Sequence, residues 1–315
     1  MTSIDDFLLR EIDAGSFPSA VYAIGSSRGI EHENALGHAV AVPLRIPATL
    51  DTIYDCASLT KPLITTTLAL QLLDVDAIRP LLTHTSGLRA WMPLYLRRDY
   101  VDAIHEHGPE YEPGTRVVYS DLNYVLLWSM LPDYLTLARE RILAPLGIES
   151  DAMFLPPESL RPRIAATEWG QRYEARMSEN PEVAVLRDGL IWGEVHDGNS
   201  FFAGGTAGNA GLFATARAVF RLAQSWSNAE LLPRALVDEA THNQTAGLNE
   251  SRGLGWQISP TGMYGHTGFT GTSVWTDPER DRIMVLLTNR VHPCAAPNSM
   301  QKIRGEFHRL ALQHA

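Results

Sequence analysis

Asp55-Cys-Ala-Ser58-Leu-Thr-Lys61-Pro-Leu-Ile-Thr-Thr-Thr-Leu-Ala-Leu-Gln-Leu-Leu-Asp74 opens an apolar helical run with a serine and a lysine three residues apart. That spacing puts Ser58 and Lys61 on one face of the first turn. Lys61 can take the Ser58 proton if burial keeps it neutral part of the time. The positive end of the helix favours the resulting oxyanion. Alone the pattern is weak, because a serine cap followed by a solvated lysine reads the same way. The basic residues as a whole shift the balance. Of 26 Lys+Arg, only Lys61 and Lys302 are lysines. Arginine keeps its proton at any useful pH and lysine need not, so a retained lysine at position 61 asks for a chemical reason. Lys302 lies in a polar terminal helix and asks for none.

Outward from this stretch, the two chain ends look alike. Ile4, Phe7, Leu8 and Ile12 recur at helical spacing, and residues 20–25 read as a strand ending in a Gly-Ser-Ser turn. Residues 271–276 and 282–288 read as two more strands, joined by the turn Asp277-Pro-Glu-Arg-Asp281. Residues 300–312 form a helix with Ile303, Phe307 and Leu310 on one face. The economical architecture is an α/β (α+β) fold. An antiparallel β-sheet drawn from residues 1–60 together with 211–315 is flanked by helices from both termini. Residues 61–210 form a mostly helical insertion.

The 315 residues carry 36 Asp+Glu and a net charge of −10. That balance disfavours nucleic acid and anionic membrane surfaces as partners. Hydrophobic residues make up 45%, enough for a large core and too many for general disorder. No run approaches the ~20 apolar residues of a membrane span. The opening residues show no basic leader, apolar run and cleavage site, so a cytoplasmic protein is expected. Cys56 and Cys294 make no disulfide framework and read as free thiols. No Cys-x-x-Cys pair or Cys/His cluster suggests structural zinc. Glu194-Val-His196-Asp197 lacks the spacing of a zinc helix and reads as a loop near the cleft. No cofactor is called for.

Two further stretches carry chemistry. Tyr119-Ser-Asp-Leu-Asn123 follows Pro113-Gly114 and a short Arg-Val-Val strand. A phenol near a lysine ammonium ionises more easily and can serve as a second base. Tyr264-Gly-His266-Thr267-Gly268-Phe269 leads into the strand at 271–276. Glycine on an edge strand lets a substrate approach the backbone closely, and free N–H groups there can hold an oxyanion. His84, in Thr-His-Thr-Ser-Gly, reads as structural.

Ser-x-x-Lys, Tyr-Ser-Asp and His-Thr-Gly in this order make the chain resemble the penicillin-binding-protein-like serine hydrolases. These include class C β-lactamases, D,D-carboxypeptidases, D-amino acid amidohydrolases and family VIII esterases. Leu81-Leu-Thr-His-Thr-Ser-Gly-Leu88 and Gly204-Gly-Thr-Ala-Gly-Asn-Ala-Gly-Leu-Phe213 extend the resemblance over nearly the whole chain. It implies a β-lactamase/transpeptidase-like fold with the site between the sheet part and the helical part, and a catalytic set of Ser58 as nucleophile, Lys61 as base and Tyr119 as proton shuttle. It implies a substrate-binding strand at His266, Thr267, Gly268 and Phe269, with an oxyanion hole from the Ser58 and Phe269 N–H groups.

Three departures stand out. Asp121 occupies the place of an asparagine that donates to a lactam side chain, so Asp121 is expected to face the substrate and repel carboxylates. His266 replaces a lysine, and an imidazolium there would fade between about pH 6 and 8. The connections at 74–80 and 130–134 are short for the family. The expected function is acyl-enzyme hydrolysis of small-molecule esters, amides or lactams. The alternative is a ligand-binding relative that is acylated slowly or not at all. Oligomeric state is not legible.

Overall fold

In the computed structural model, residues 3–177, 187–295 and 300–313 are described. Ser3 caps the first helix, Ile4–Asp13, by accepting from the Asp6 N–H. The chain then enters β1 (Ser19–Ser26), turns, and returns as β2 (Gly29–Val40) to β3 (Ile46–Pro47). Three two-residue strands, β4 (Tyr54–Asp55), β5 (Ala152–Met153) and β6 (Phe213–Ala214), make a small separate sheet in the order β4-β6-β5. After the middle of the chain come β7 (Gln257–Ile258), β8 (Tyr264–Thr267), β9 (Ser273–Asp277) and β10 (Arg282–Thr288). The main sheet is antiparallel, in the order β3-β2-β1-β10-β9-β8-β7. First and last strands meet at its centre, with Val21 opposite Leu287 and Ala23 opposite Val285.

Side-chain alternation sorts each central strand between two cores. Ala20, Tyr22, Ile24, Met284 and Leu286 face the terminal helices, where Ile4, Phe7, Leu8, Ile303, Phe307 and Leu310 pack on them. Val21, Ala23, Ile283, Val285 and Leu287 face the other way. There they meet the helix Ala216–Ser227, through Val219, Phe220 and Trp226, and the apolar run after Lys61. Both faces are covered, which is why β10 reads as an almost unbroken apolar run.

Between residues 61 and 210 the described elements are helical apart from β5. The expected Arg-Val-Val strand does not form. Val117 bonds the side chain of Asn249 through both its N–H and its C=O, and the Val118 N–H goes to the His84 carbonyl. A segment whose backbone groups are taken by a side chain and a loop has no ladder to join. β2 was not legible, because Gly29–Val40 is polar and only half-buried along most of its length.

Candidate active site

The Asp55–Asp74 stretch makes a turn before its helix. Asp55 accepts the Ala57 N–H at 2.8 Å and, through its other oxygen, the His196 N–H at 2.7 Å. Ala57 is held at φ +46°, a strained value for a residue with a Cβ. Pro62 sits at the start of the following wide π-type turn, Lys61–Thr66, where a missing N–H is harmless. Residues 52–70 are buried with one exception: Ser58 keeps partial exposure. It faces a cleft of about 590 Å³ that is also lined by Tyr119, Asp121, Glu174, Asp197, Arg252, His266, Thr267, Gly268 and Phe269.

Lys61 is fully buried. Its Nζ donates to Ser58 Oγ at 2.9 Å and to the Asn209 carbonyl at 2.9 Å, and it pairs with Asp121 Oδ1 at 2.6 Å. It also lies 5.2 Å from the centre of the Tyr119 ring. Burial by itself would lower the proton affinity of Lys61. The Asp121 carboxylate and the Tyr119 phenol outweigh burial, and Lys61 sits above its ordinary value. Burial raises Asp121 as well, against the pull of Lys61. With a carbonyl and a carboxylate committed as acceptors, the resting pair is ammonium and carboxylate. The expectation that burial leaves Lys61 partly neutral is thereby corrected: the aspartate reverses its sign.

Tyr119 stands at the head of the helix Asp121–Ser129, where His84 positions it. His84 Nδ1 accepts the Ser120 N–H at 3.1 Å, and its ring lies 4.7 Å from the Tyr119 ring. That fits the structural reading of His84, which itself is held at φ +58°. Burial raises Tyr119, the nearby Lys61 opposes this, and Asp121 adds to the rise. Phenol is therefore the resting form.

The strand β8 supplies the opposite wall. His266 Nδ1 lies 2.8 Å from the Thr267 carbonyl, so that nitrogen carries the proton and Nε2 is a bare acceptor. Burial, then Arg252 and Lys61, push His266 well below its ordinary value. Burial thus works against the imidazolium that the sequence led us to expect near neutrality. Gly268 abuts the nucleophile turn. A Cβ there would stand 2.6 Å from the Cys56 carbonyl oxygen and closer still to Thr272 Oγ1. The Phe269 N–H has no partner among the described residues. Both cysteines are free thiols, Cys56 buried and Cys294 exposed.

The structure thus brings Ser58, Lys61, Tyr119 and Asp121 into one hydrogen-bonded group and sets His266 to Phe269 across the cleft. Sequence reasoning missed Asn209, whose carbonyl takes a Lys61 proton. Its signal lay in the glycine-rich stretch around it: a Cβ on Gly208 would collide with Trp128 and the Tyr124 carbonyl. It missed Arg252, whose guanidinium lies 5.3 Å from the centre of the Tyr119 ring. Glu174, Arg290 and Arg304, which also line the cleft, gave no sequence signal.

A serine bonded to a buried lysine three residues on, beneath a tyrosine and beside the edge of an antiparallel sheet, is the layout of penicillin-binding-protein-like serine hydrolases. The β-lactamase family model matches residues 76–304, and the chain belongs to that family of serine hydrolases. Among curated relatives, a putative D-alanyl-D-alanine carboxypeptidase of Salmonella typhi is 28% identical over 376 aligned positions, covering 93% of this chain and 84% of the relative. Those positions outnumber this chain's 315 residues, so the relative carries stretches that are missing here. The octameric penicillin-binding protein homologue from Pyrococcus abyssi shares the fold with a TM-score of 0.73 and 18% identity, over 99% of this chain and 76% of that one. A D-amino acid amidase from Ochrobactrum anthropi, complexed with D-phenylalanine, does so with a TM-score of 0.72 and 20% identity, over 99% and 98%.

Proposed function

We propose that Ser58 attacks the carbonyl of a small ester, amide or lactam and is acylated, and that water then releases the acyl group. The observation that carries this is the contact of the one partly exposed side chain in its stretch, Ser58, with the buried Lys61 at 2.9 Å, at the mouth of the cleft. Lys61 hands its own proton to Asp121, 2.6 Å away, and its free amine then takes the serine proton as the Ser58 Oγ–acyl bond forms. Tyr119, within hydrogen-bonding range of both Ser58 and Lys61, passes a proton to the leaving group. The Phe269 N–H, with that of Ser58, holds the tetrahedral oxyanion. His266, Thr267 and Gly268 form the rail along which substrate lies. The named relatives favour D-amino acid peptides and amides over lactams as substrates, since Asp121 removes the donor that a lactam side chain would use. No helix among the described residues is long and apolar enough to cross a membrane, and the two unpaired thiols support a reducing, cytoplasmic setting.

Fluorophosphonate treatment followed by mass spectrometry tests the assignment. Wild type should gain one label, on the peptide containing Ser58, and Ser58→Ala should gain none. Label on the Ser58→Ala protein would reject Ser58 as nucleophile. A panel of nitrophenyl esters, D-peptides and nitrocefin then ranks the substrate classes.

A further inference from the structure

Two guanidiniums grip the turn that follows β8. Gly268 to Gly271 form a β-turn, closed by the Gly271 N–H on the Gly268 carbonyl at 3.1 Å. Arg304, on the helix Met300–Ala311, donates to the same Gly268 carbonyl through Nη2 at 2.5 Å. Arg290 donates through Nε to the next carbonyl, that of Phe269, at 2.7 Å, and lies 4.8 Å from the centre of the Phe269 ring.

Stability gives no reason for this arrangement. The chain has 36 Asp+Glu for 26 Lys+Arg, yet neither guanidinium pairs with a carboxylate among the described residues. Burial pushes both below their ordinary value, and the charge of Arg290 pushes Arg304 further. Arg304 Nε is buried without a partner. Taking a cation out of water without a counter-charge is costly. Arg252, in the same cleft, has the ordinary remedy, Glu250 at 2.7 Å.

The Gly268 carbonyl and the Phe269 N–H are the two ends of one trans peptide, and resonance couples them. A cation on the carbonyl oxygen draws electron density toward it and leaves the N–H a stronger donor. The Ser58 N–H has no such help. Its peptide carbonyl, that of Ala57, accepts the uncharged Thr60 hydroxyl and N–H. Arg290 acts on the following peptide, whose N–H is that of Thr270. We infer that Arg304 is a positioning residue for the oxyanion: its guanidinium, seated on the Gly268 carbonyl, strengthens the Phe269 N–H at the other end of that peptide. This rests on the acyl-enzyme reading above and adds a residue to it. Hydrogen bonds in a chain strengthen one another by about 10–30%, and one oxyanion donor is worth roughly 10²–10³ in kcat, so loss of the charge should lower kcat about two- to eightfold. The turn itself should persist, because the Gly271 N–H still holds the carbonyl.

The test measures kcat and KM for p-nitrophenyl acetate, and Ki for phenylboronic acid, in wild type, Arg304→Gln, Arg304→Lys and Arg290→Gln. The ester is neutral, so a guanidinium that only bound a substrate carboxylate would leave its turnover alone. The boronic acid adds the Ser58 oxygen at boron and places an oxygen where the oxyanion forms. Glutamine keeps an N–H for the carbonyl without the charge, and lysine keeps the charge. Arg304→Gln should lower kcat by the factor above, change KM far less, and weaken phenylboronic acid in step with kcat. Arg304→Lys should recover most of both losses, and Arg290→Gln should lose less than Arg304→Gln. Wild-type kcat and Ki in Arg304→Gln would overturn the inference. Equal losses in the glutamine and lysine variants would do so too, because the guanidinium would then only brace the turn. So would an equal loss in Arg290→Gln, which would assign the effect to charge in the cleft at large. Should Arg304→Gln fail to fold in urea titrations, Arg304→Met supplies the uncharged variant. Fluorophosphonate labelling keeps the two readings apart. An unlabelled wild type defeats the acyl-enzyme reading itself, whereas full labelling of Ser58 with unchanged kcat and Ki in Arg304→Gln defeats only the role of Arg304.

Discussion

Gly268→Ala is the sharpest perturbation of the join between the nucleophile turn and the substrate strand. A methyl group at residue 268 would lie 2.6 Å from the Cys56 carbonyl oxygen and overlap Thr272 Oγ1. Neither neighbour yields easily. Thr272 Oγ1 donates to that same Cys56 carbonyl at 3.0 Å, and the Gly268 N–H is bonded to the Thr272 carbonyl at 2.8 Å. The strand must therefore move away from Cys56 and Ala57, and the Phe269 N–H moves with it. Forced overpacking of this kind costs ~1–3 kcal/mol of stability. Losing one oxyanion donor lowers kcat by roughly 10²–10³-fold. Urea unfolding should show the first effect, and turnover of a neutral nitrophenyl ester the second, with KM changed far less than kcat. Gly305→Ala is the control. Gly305 lies in the helix Met300–Ala311 with nothing within 4 Å of an added Cβ, so alanine there should stabilise by ~0.5–1 kcal/mol and leave turnover alone. If Gly268→Ala kept wild-type kcat, the oxyanion would not be held by Phe269 and the reasoning would fail.

Lys61→Met should abolish turnover and also destabilise by ~3–5 kcal/mol, since it leaves Asp121 without its cation; adding Asp121→Asn should restore much of the stability and none of the turnover, as read by urea unfolding and ester assay. Glu174 is raised from 4.5 to about 7, by burial and then by Asp197. The folded chain thus keeps a proton that the unfolded chain has lost between those values, and stability falls as pH rises through that window, then levels. Glu174→Gln carries no such penalty, so its stability relative to wild type should rise by ~1–3 kcal/mol from pH 5 to 8; a flat difference would show that Glu174 titrates normally. Because burial holds His266 well below its ordinary value, KM–pH series for a carboxylate-bearing and a neutral substrate should run parallel in wild type between about pH 6 and 8, whereas His266→Lys should separate them.

The sheet was legible where burial leaves an unambiguous period. Residues 20–25 and 282–288 are apolar on both faces, and the terminal helices show one apolar stripe each, so a sheet closed by both chain ends followed from the sequence. β2 was not legible because its residues answer to a half-exposed surface, and the Arg-Val-Val segment was misread because Asn249, far along the chain, takes its backbone groups. Ser58, Lys61 and Tyr119 could be picked out because their chemistry is rare: one of only two lysines in a chain of arginines, three residues after a serine. What the sequence could not carry was the charge state of that set. Whether Lys61 is a base or an ammonium depends on a carboxylate sixty residues away coming to 2.6 Å, and whether His266 is a cation depends on which neighbours bury it. Local spacing determines which groups can meet on a turn. Only the tertiary fold sets the distances and the exclusion of water, and those decide where each proton rests.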